Sequence, residues 1–96
     1  MVKKILKLGA SWCQPCKVFS STFNRVKEME EYKDIEFKEF EIDEDEDGEM
    51  LAEKYQVRSV PTTVLLNGDD EVVYKIMGNV PQNDFITIIN EANKRN

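Results

Sequence analysis

The order of β-runs and helical stretches, β-α-β-α-β-β-α, predicts an α/β domain: a four-stranded mixed sheet with helices on both faces. Three observations carry it. Apolar residues recur at three- and four-residue steps after Gln14 and again after Pro81, the spacing of amphipathic helices. Residues 2–8, 35–42, 60–66 and 71–77 have the alternation or β-branched content of strands. The turn Asn67-Gly68-Asp69-Asp70 joins the last two runs as a hairpin. At 96 residues and 41% apolar composition, the chain is long enough for one domain, 1–96, and not for two.

The first strand, residues 2–8, is bounded by Gly9 and apolar enough on both sides to be central in the sheet. The helix from Gln14 to about Tyr32 carries Cys16, Phe19, Phe23, Val26 and Met29 or Glu30 on one face. Residues 35–42 put Ile35 and Phe37 on one phase and Phe40 and Ile42 on the other, which marks a second strand. Five acids, residues 43–47, then precede a helical stretch over about 48–55, where negative charge complements the positive end of the helix dipole. Pro61 opens the next strand, a position where its missing amide is tolerated. Gly78 breaks the strand after the hairpin, and Phe85, Ile88, Ile89 and Ala92 fall on one face of a last helix between Pro81 and the polar end Lys94-Arg95-Asn96. The βαβ unit requires parallel strands with a right-handed crossover, and the ββα unit antiparallel ones.

A net charge of −6 argues against a phosphate backbone or an anionic membrane as partner. Residues 1–8 offer only Ile5, Leu6 and Leu8 as an apolar stretch, interrupted by Lys7, far short of a signal sequence, and no segment has membrane-spanning length. The expected location is the cytoplasm. There a pair of cysteines three positions apart points to chemistry rather than to a structural staple, because thiol pools keep such pairs reduced and so short a loop closes with little entropic gain.

Cys13 stands at the end of a strand just before a helix, so its sulfur meets the unpaired amides and partial positive charge of a helix N-terminus, which favour thiolate over thiol. Cys16 lies close to the same helical face within disulfide reach, and Pro15 suits the first turn, which needs no amide donor. With two cysteines and no histidine, the chain lacks the ligands of a structural zinc site, and Lys17 stands where haem attachment would need histidine. No metal is expected.

The segment Trp12-Cys13-Gln14-Pro15-Cys16-Lys17, followed by Val60-Pro61-Thr62 and then Gly78, resembles the thioredoxin family. The similarity extends to Phe40-Glu41-Ile42-Asp43 and Tyr55-Gln56-Val57-Arg58-Ser59, and so spans essentially the whole chain. The resemblance implies the thioredoxin fold and a dithiol–disulfide oxidoreductase. Pro61 would be a cis-proline facing the two sulfurs, the Val60 backbone would pair with an extended substrate segment, and Gly78 would keep the groove open. Trp12 beside the sulfur would shield it and offer an apolar docking surface, so Trp12, Pro15, Val60, Pro61 and Gly78 are the expected substrate-binding residues. Cys13 thiolate would attack a protein disulfide and Cys16 would resolve the mixed disulfide, leaving a Cys13–Cys16 disulfide. The implied electron donor is a flavin- and NADPH-dependent thioredoxin reductase. The domain itself has no Gly-rich nucleotide motif, so no bound cofactor is expected. A monomer is expected by the same analogy.

Three features depart from the family pattern. Gln14 replaces the usual glycine between the cysteines, which leaves the redox potential open. The sequence opens at the strand leading into the cysteine pair, so a pared-down version of the fold is expected, without the N-terminal strand and helix common in thioredoxins and nearer glutaredoxin in size. Where thioredoxins bury an acid and a lysine near the second cysteine, this sequence has Lys7 and Glu39, with the charges exchanged. Lys7 is on the phase of Ile5, and Glu39 on that of Ile35 and Phe37, which allows a pair across adjacent strands beneath Cys16. In that arrangement Lys7 favours the Cys16 thiolate and Glu39 takes its proton; the alternative is that both side chains snorkel to solvent.

Two other functions fit the chain. A glutaredoxin-like reductase drawing on glutathione is permitted by the short length and by Ser59-Val60-Pro61, although Trp12 and Thr62 are thioredoxin-like. A binding subunit of a larger complex would leave the cysteines incidental, against the retention of both together with Trp12 and Pro61.

Overall fold

The computed structural model describes residues 1–94. Its elements are β1 (Lys4–Gly9), α1 (Gln14–Lys27), β2 (Glu36–Glu41), α2 (Glu46–Lys54), β3 (Thr62–Leu66), β4 (Val72–Met77) and α3 (Gln82–Lys94). The strands form one sheet in the order β2-β1-β3-β4. β1 runs parallel to β2 and antiparallel to β3, and β4 is antiparallel to β3, as the βαβ and hairpin units require. The two central strands, β1 and β3, are buried almost throughout, which accounts for their unbroken apolar character.

Side chains alternate across the sheet and so divide the core in two. On one face Ile5, Phe37, Leu65 and Ile76 pack under Phe19, Phe23 and Val26 of α1 and Phe85, Ile89 and Ala92 of α3. Phe19 and Phe85 meet edge-on with centroids 5.2 Å apart, and Phe23 meets Phe37 in the same way at 5.4 Å. On the other face Leu6, Leu8, Val64 and Leu66 pack with Tyr55 and with Phe40, Ile42, Leu51 and Val57. Two helices cover the first face and α2 alone the second.

Boundaries differ from the sequence expectation in α1, α2 and β3. α1 ends at Lys27 instead of continuing to Tyr32, because Val26 is its last buried position. Met29 is extended (φ −72°, ψ 135°) and reaches the core from outside the helix, before a 3-10 turn at Glu30–Tyr32. α2 begins earlier, at Glu46, so Glu46, Asp47 and Glu49 lie in its first turn beside the positive dipole end. The rest of the acidic run does other work: Asp45 Oδ2 accepts from the Glu41 amide and Asp43 from Ser11. β3 begins only at Thr62, leaving Val60 and Pro61 in the loop before it. α3 starts just after Pro81; Arg95 and Asn96, the expected polar end, lie outside the described residues.

Two contacts hold α2 in place. A Cβ on Gly48 would lie 2.9 Å from the Glu41 carbonyl oxygen, so the helix backbone approaches β2 more closely than any side chain permits. At the other end Lys75 of β4 donates to the Tyr55 carbonyl at 2.6 Å, satisfying a carbonyl the helix leaves open.

Candidate active site

β1 ends at Gly9, and α1 starts five residues later. Cys13 is the N-cap of α1, with extended backbone (φ −91°, ψ 110°), and its Sγ accepts from the Cys16 amide at 3.1 Å. An amide that a helix start leaves without a partner is thus aimed at the sulfur, and the same bond stabilises a thiolate there. Cys13 and Cys16 are joined in a disulfide, with Cα atoms 5.3 Å apart. Both are buried and pack with Ala10, Ile42 and Val60. Pro15 occupies the first turn of α1 and is exposed.

The Val60–Pro61 peptide is cis, and the Val60 carbonyl oxygen lies 3.8 Å from Cys13 Sγ. Gly78 donates its amide to the Pro61 carbonyl at 2.8 Å, which ties the end of β4 to this loop. Its φ of +92° requires glycine, and a Cβ there would meet nothing within 4 Å. Space therefore stays open beside Pro61. Trp12 is 71% exposed and, with Ile42, Val57, Arg58, Ser59 and Val60, lines a mostly apolar groove of about 340 Å³. Of these, Ile42, Val57, Arg58 and Ser59 were not singled out as site residues from the sequence. The pairing of Ile42 to Gly9 beside the cysteine loop is a long-range event with no local mark.

Asp43 fastens the loop that carries Trp12. Its Oδ1 accepts from the Ser11 amide at 3.0 Å and its Oδ2 accepts from the Ser11 hydroxyl. The hydroxyl bond, followed by the amide bond, holds the Asp43 carboxyl below its ordinary value.

Beneath Cys16, Lys7 of β1 stands directly opposite Glu39 of β2. Lys7 Nζ is 3.1 Å from Glu39 Oε2 and donates to Ser20 Oγ at 2.9 Å; the Ser20 hydroxyl in turn donates to Glu39 Oε2 at 2.7 Å. The Lys7 side chain is 5% exposed and that of Glu39 34%. Only the carboxylate reaches water, so the two side chains pair instead of snorkelling separately. The position of a Cβ on Gly9 would lie 3.2 Å from Cys16 Sγ and 3.4 Å from Lys7 Nζ, so the ammonium and the sulfur face each other across this glycine.

The family model for thioredoxin matches residues 2–91. This chain belongs to the thioredoxin family. It is similar to the thioredoxin Asp f 29 of Aspergillus fumigatus, at 39% identity over 80% of this chain and 66% of that protein. It is also similar to a thioredoxin of Mycoplasmoides gallisepticum, at 28% identity over 86% of this chain and 77% of that one. Among solved structures, thioredoxin-2 of a malaria parasite superposes with a TM-score of 0.78 at 28% identity, covering 92% of this chain and 81% of that one. The thioredoxin fold and a bonded Cys13–Cys16 pair place the chain among thiol–disulfide oxidoreductases at the level of the family. Among the described residues no helix is long and apolar enough to cross a membrane.

Proposed function

We propose that this member of the thioredoxin family reduces protein disulfides by dithiol exchange. The observation that carries the reading is the position of Cys13 Sγ, bonded by the Cys16 amide and next to the Val60 carbonyl at the head of an apolar groove. In the reduced protein the Cys13 thiolate attacks one sulfur of a substrate disulfide. That S–S bond breaks, one substrate sulfur leaves as thiolate, and a mixed disulfide forms. Cys16 then attacks Cys13 Sγ, the second substrate sulfur leaves, and the Cys13–Cys16 disulfide is restored.

The substrate enters as an extended segment along Val60 and Pro61, its apolar side chains against Trp12 and the groove, with Gly78 leaving room beside it. Pro15 shapes the exposed start of α1 on which the segment rests. Lys7 places positive charge near Cys16 and favours its thiolate over its thiol; Glu39 is the counter-charge that makes a buried ammonium tolerable. A flavoprotein thioredoxin reductase using NADPH returns the oxidised pair to dithiol, with the protein acting as a monomer in the cytoplasm.

Reduction of insulin, driven by NADPH and thioredoxin reductase in one assay and by glutathione in another, tests the reading against Cys13→Ser and Cys16→Ser. Turnover with the reductase that is lost in both variants is expected. Turnover unaffected by either substitution would show that the cysteines are incidental.

A further inference from the structure

Cys16 must lose a proton before it can attack, and Lys7, as a cation, does not accept one. Two carboxylates lie on the same sheet face as Cys16: Glu39, opposite Lys7, and Glu41, opposite Gly9. Glu39 Oε2 already holds Lys7 and Ser20. Glu41 differs: its Oε2 is buried and has no hydrogen-bond partner.

The other buried, unpartnered side-chain oxygen among the described residues is Thr63 Oγ1, on the opposite side of β1 and in register with Lys7. Both orphaned atoms therefore flank the Lys7–Gly9 stretch, the place where Cys16 Sγ approaches β1. Buried acceptors are normally paired, so the orphaned oxygen of Glu41 calls for a donor. The disulfide form supplies none there. Reduction creates one, the S–H of Cys16, and Gly9 contributes no side chain to separate it from the strand. Adjacent strands lie about 4.8 Å apart, and a Cβ position on Gly9 is 3.2 Å from Cys16 Sγ, so Glu41 opposite Gly9 has the sulfur within the reach of its side chain.

We propose that Glu41 is the proton acceptor for Cys16, a role that rests on the dithiol-exchange reading. As Cys16 attacks the mixed disulfide, its thiol proton passes to the Glu41 carboxylate and its electron pair forms the bond to Cys13 Sγ. The bond from Cys13 to the substrate sulfur breaks, and the substrate departs as thiolate to be protonated by solvent. Glu41 then returns its proton to water. The charged groups around it are Lys7 on β1, Glu39 two positions back on β2, and Asp45, whose Oδ2 accepts from the Glu41 amide; Lys17, next to Cys16 on α1, is exposed.

The test is single-turnover resolution of a mixed disulfide between Cys13 and thionitrobenzoate, followed across pH in the full chain and in Glu41→Gln, Glu41→Asp and Glu39→Gln. Far-UV circular dichroism confirms the fold of each. Glu41→Gln should slow resolution near neutral pH on the order of a hundredfold and move its pH profile to higher pH, where the thiol ionises to solvent instead, whereas Glu41→Asp and Glu39→Gln should each keep the wild-type profile. The first attack, by Cys13 in Cys16→Ser, should be the same with and without Glu41→Gln. A wild-type pH profile in Glu41→Gln, an equal loss of rate in the Gln and Asp variants with the profile unchanged, or loss of the profile in Glu39→Gln alone would overturn the assignment. If the wild type forms no mixed disulfide or never resolves it, the dithiol-exchange reading itself fails. That result is distinct from those of the variants.

Discussion

Lys7 Nζ lies 3.1 Å from Glu39 Oε2 across the parallel strands β1 and β2, with the lysine enclosed and the glutamate open to water on one side. The asymmetry makes the two partners unequal. Glu39→Ala leaves a buried ammonium held by Ser20 alone and should cost roughly 2–3 kcal/mol, somewhat less than the loss of a partner from a fully enclosed pair. Lys7→Met fills the same space with apolar atoms and lets Glu39 hydrate, so it should change stability by less than about 1 kcal/mol. Urea unfolding of both variants checks the order; equal losses would show that the pair is effectively solvated.

Gly48 and Gly78 require glycine for opposite reasons. At Gly78 a Cβ meets open space but the φ is +92°, so Gly78→Ala should cost about 1–2 kcal/mol through the backbone alone. At Gly48 the backbone is helical, and alanine would raise helix propensity by about 1 kcal/mol. Its Cβ would nonetheless lie 2.9 Å from the carbonyl oxygen of Glu41. A backbone atom cannot swing aside, and overpacking costs up to about 3 kcal/mol. Gly48→Ala should therefore destabilise despite the better helix former, and denaturant midpoints of the two variants measure both effects.

The bond between Ser11 and Asp43 gives the cysteine loop an acid limit. The Asp43 carboxyl titrates below its ordinary 3.8 in the folded protein, so the bond contributes stability above that value and loses it as pH falls through the lower folded value. The wild type should melt above Asp43→Ala at about pH 6 and converge with it towards about pH 2. In Ser11→Ala the Asp43 carboxyl should move back up towards 3.8, as the hydroxyl bond is the leading cause of its depression, and titration followed by NMR reads that shift directly.

Trp12 is exposed, so Trp12→Ala should change unfolding free energy by no more than about 0.5 kcal/mol. Its ring forms one wall of the groove beside Cys13. On the dithiol-exchange reading the variant should raise KM for insulin about tenfold, the order expected for an aromatic anchor, while its rate with a small aromatic disulfide stays near wild type. An equal loss with both substrates would place Trp12 in the chemistry of Cys13 instead of in docking.

Local pattern was enough to set the elements, their order and the cysteine pair, because each depends on residues adjacent in sequence. The apolar spacing of Phe19, Phe23 and Val26 marks a helix face wherever it packs, and Asn67-Gly68 makes a turn without outside help. Boundaries were less legible where packing overrides pattern, as at Met29, which keeps helical spacing yet reaches the core from extended backbone. The phases of Lys7 and Glu39 allowed a pair, but register alone brought them opposite each other.

For Cys13 and Cys16, then, sequence by itself determined the chemistry: two thiols at a helix start, with no histidine to turn them to metal. What surrounds them was decided by tertiary structure. The cis peptide before Pro61, the groove walls from Ile42 to Ser59, the clamp of Asp43 on Ser11 and the orphaned oxygen of Glu41 all arise where segments distant in the chain are brought together. A proton acceptor is defined by what it lacks as much as by what it is. Only the packed sheet could leave Glu41 Oε2 buried without a donor while Glu39 Oε2, two residues away, was given two.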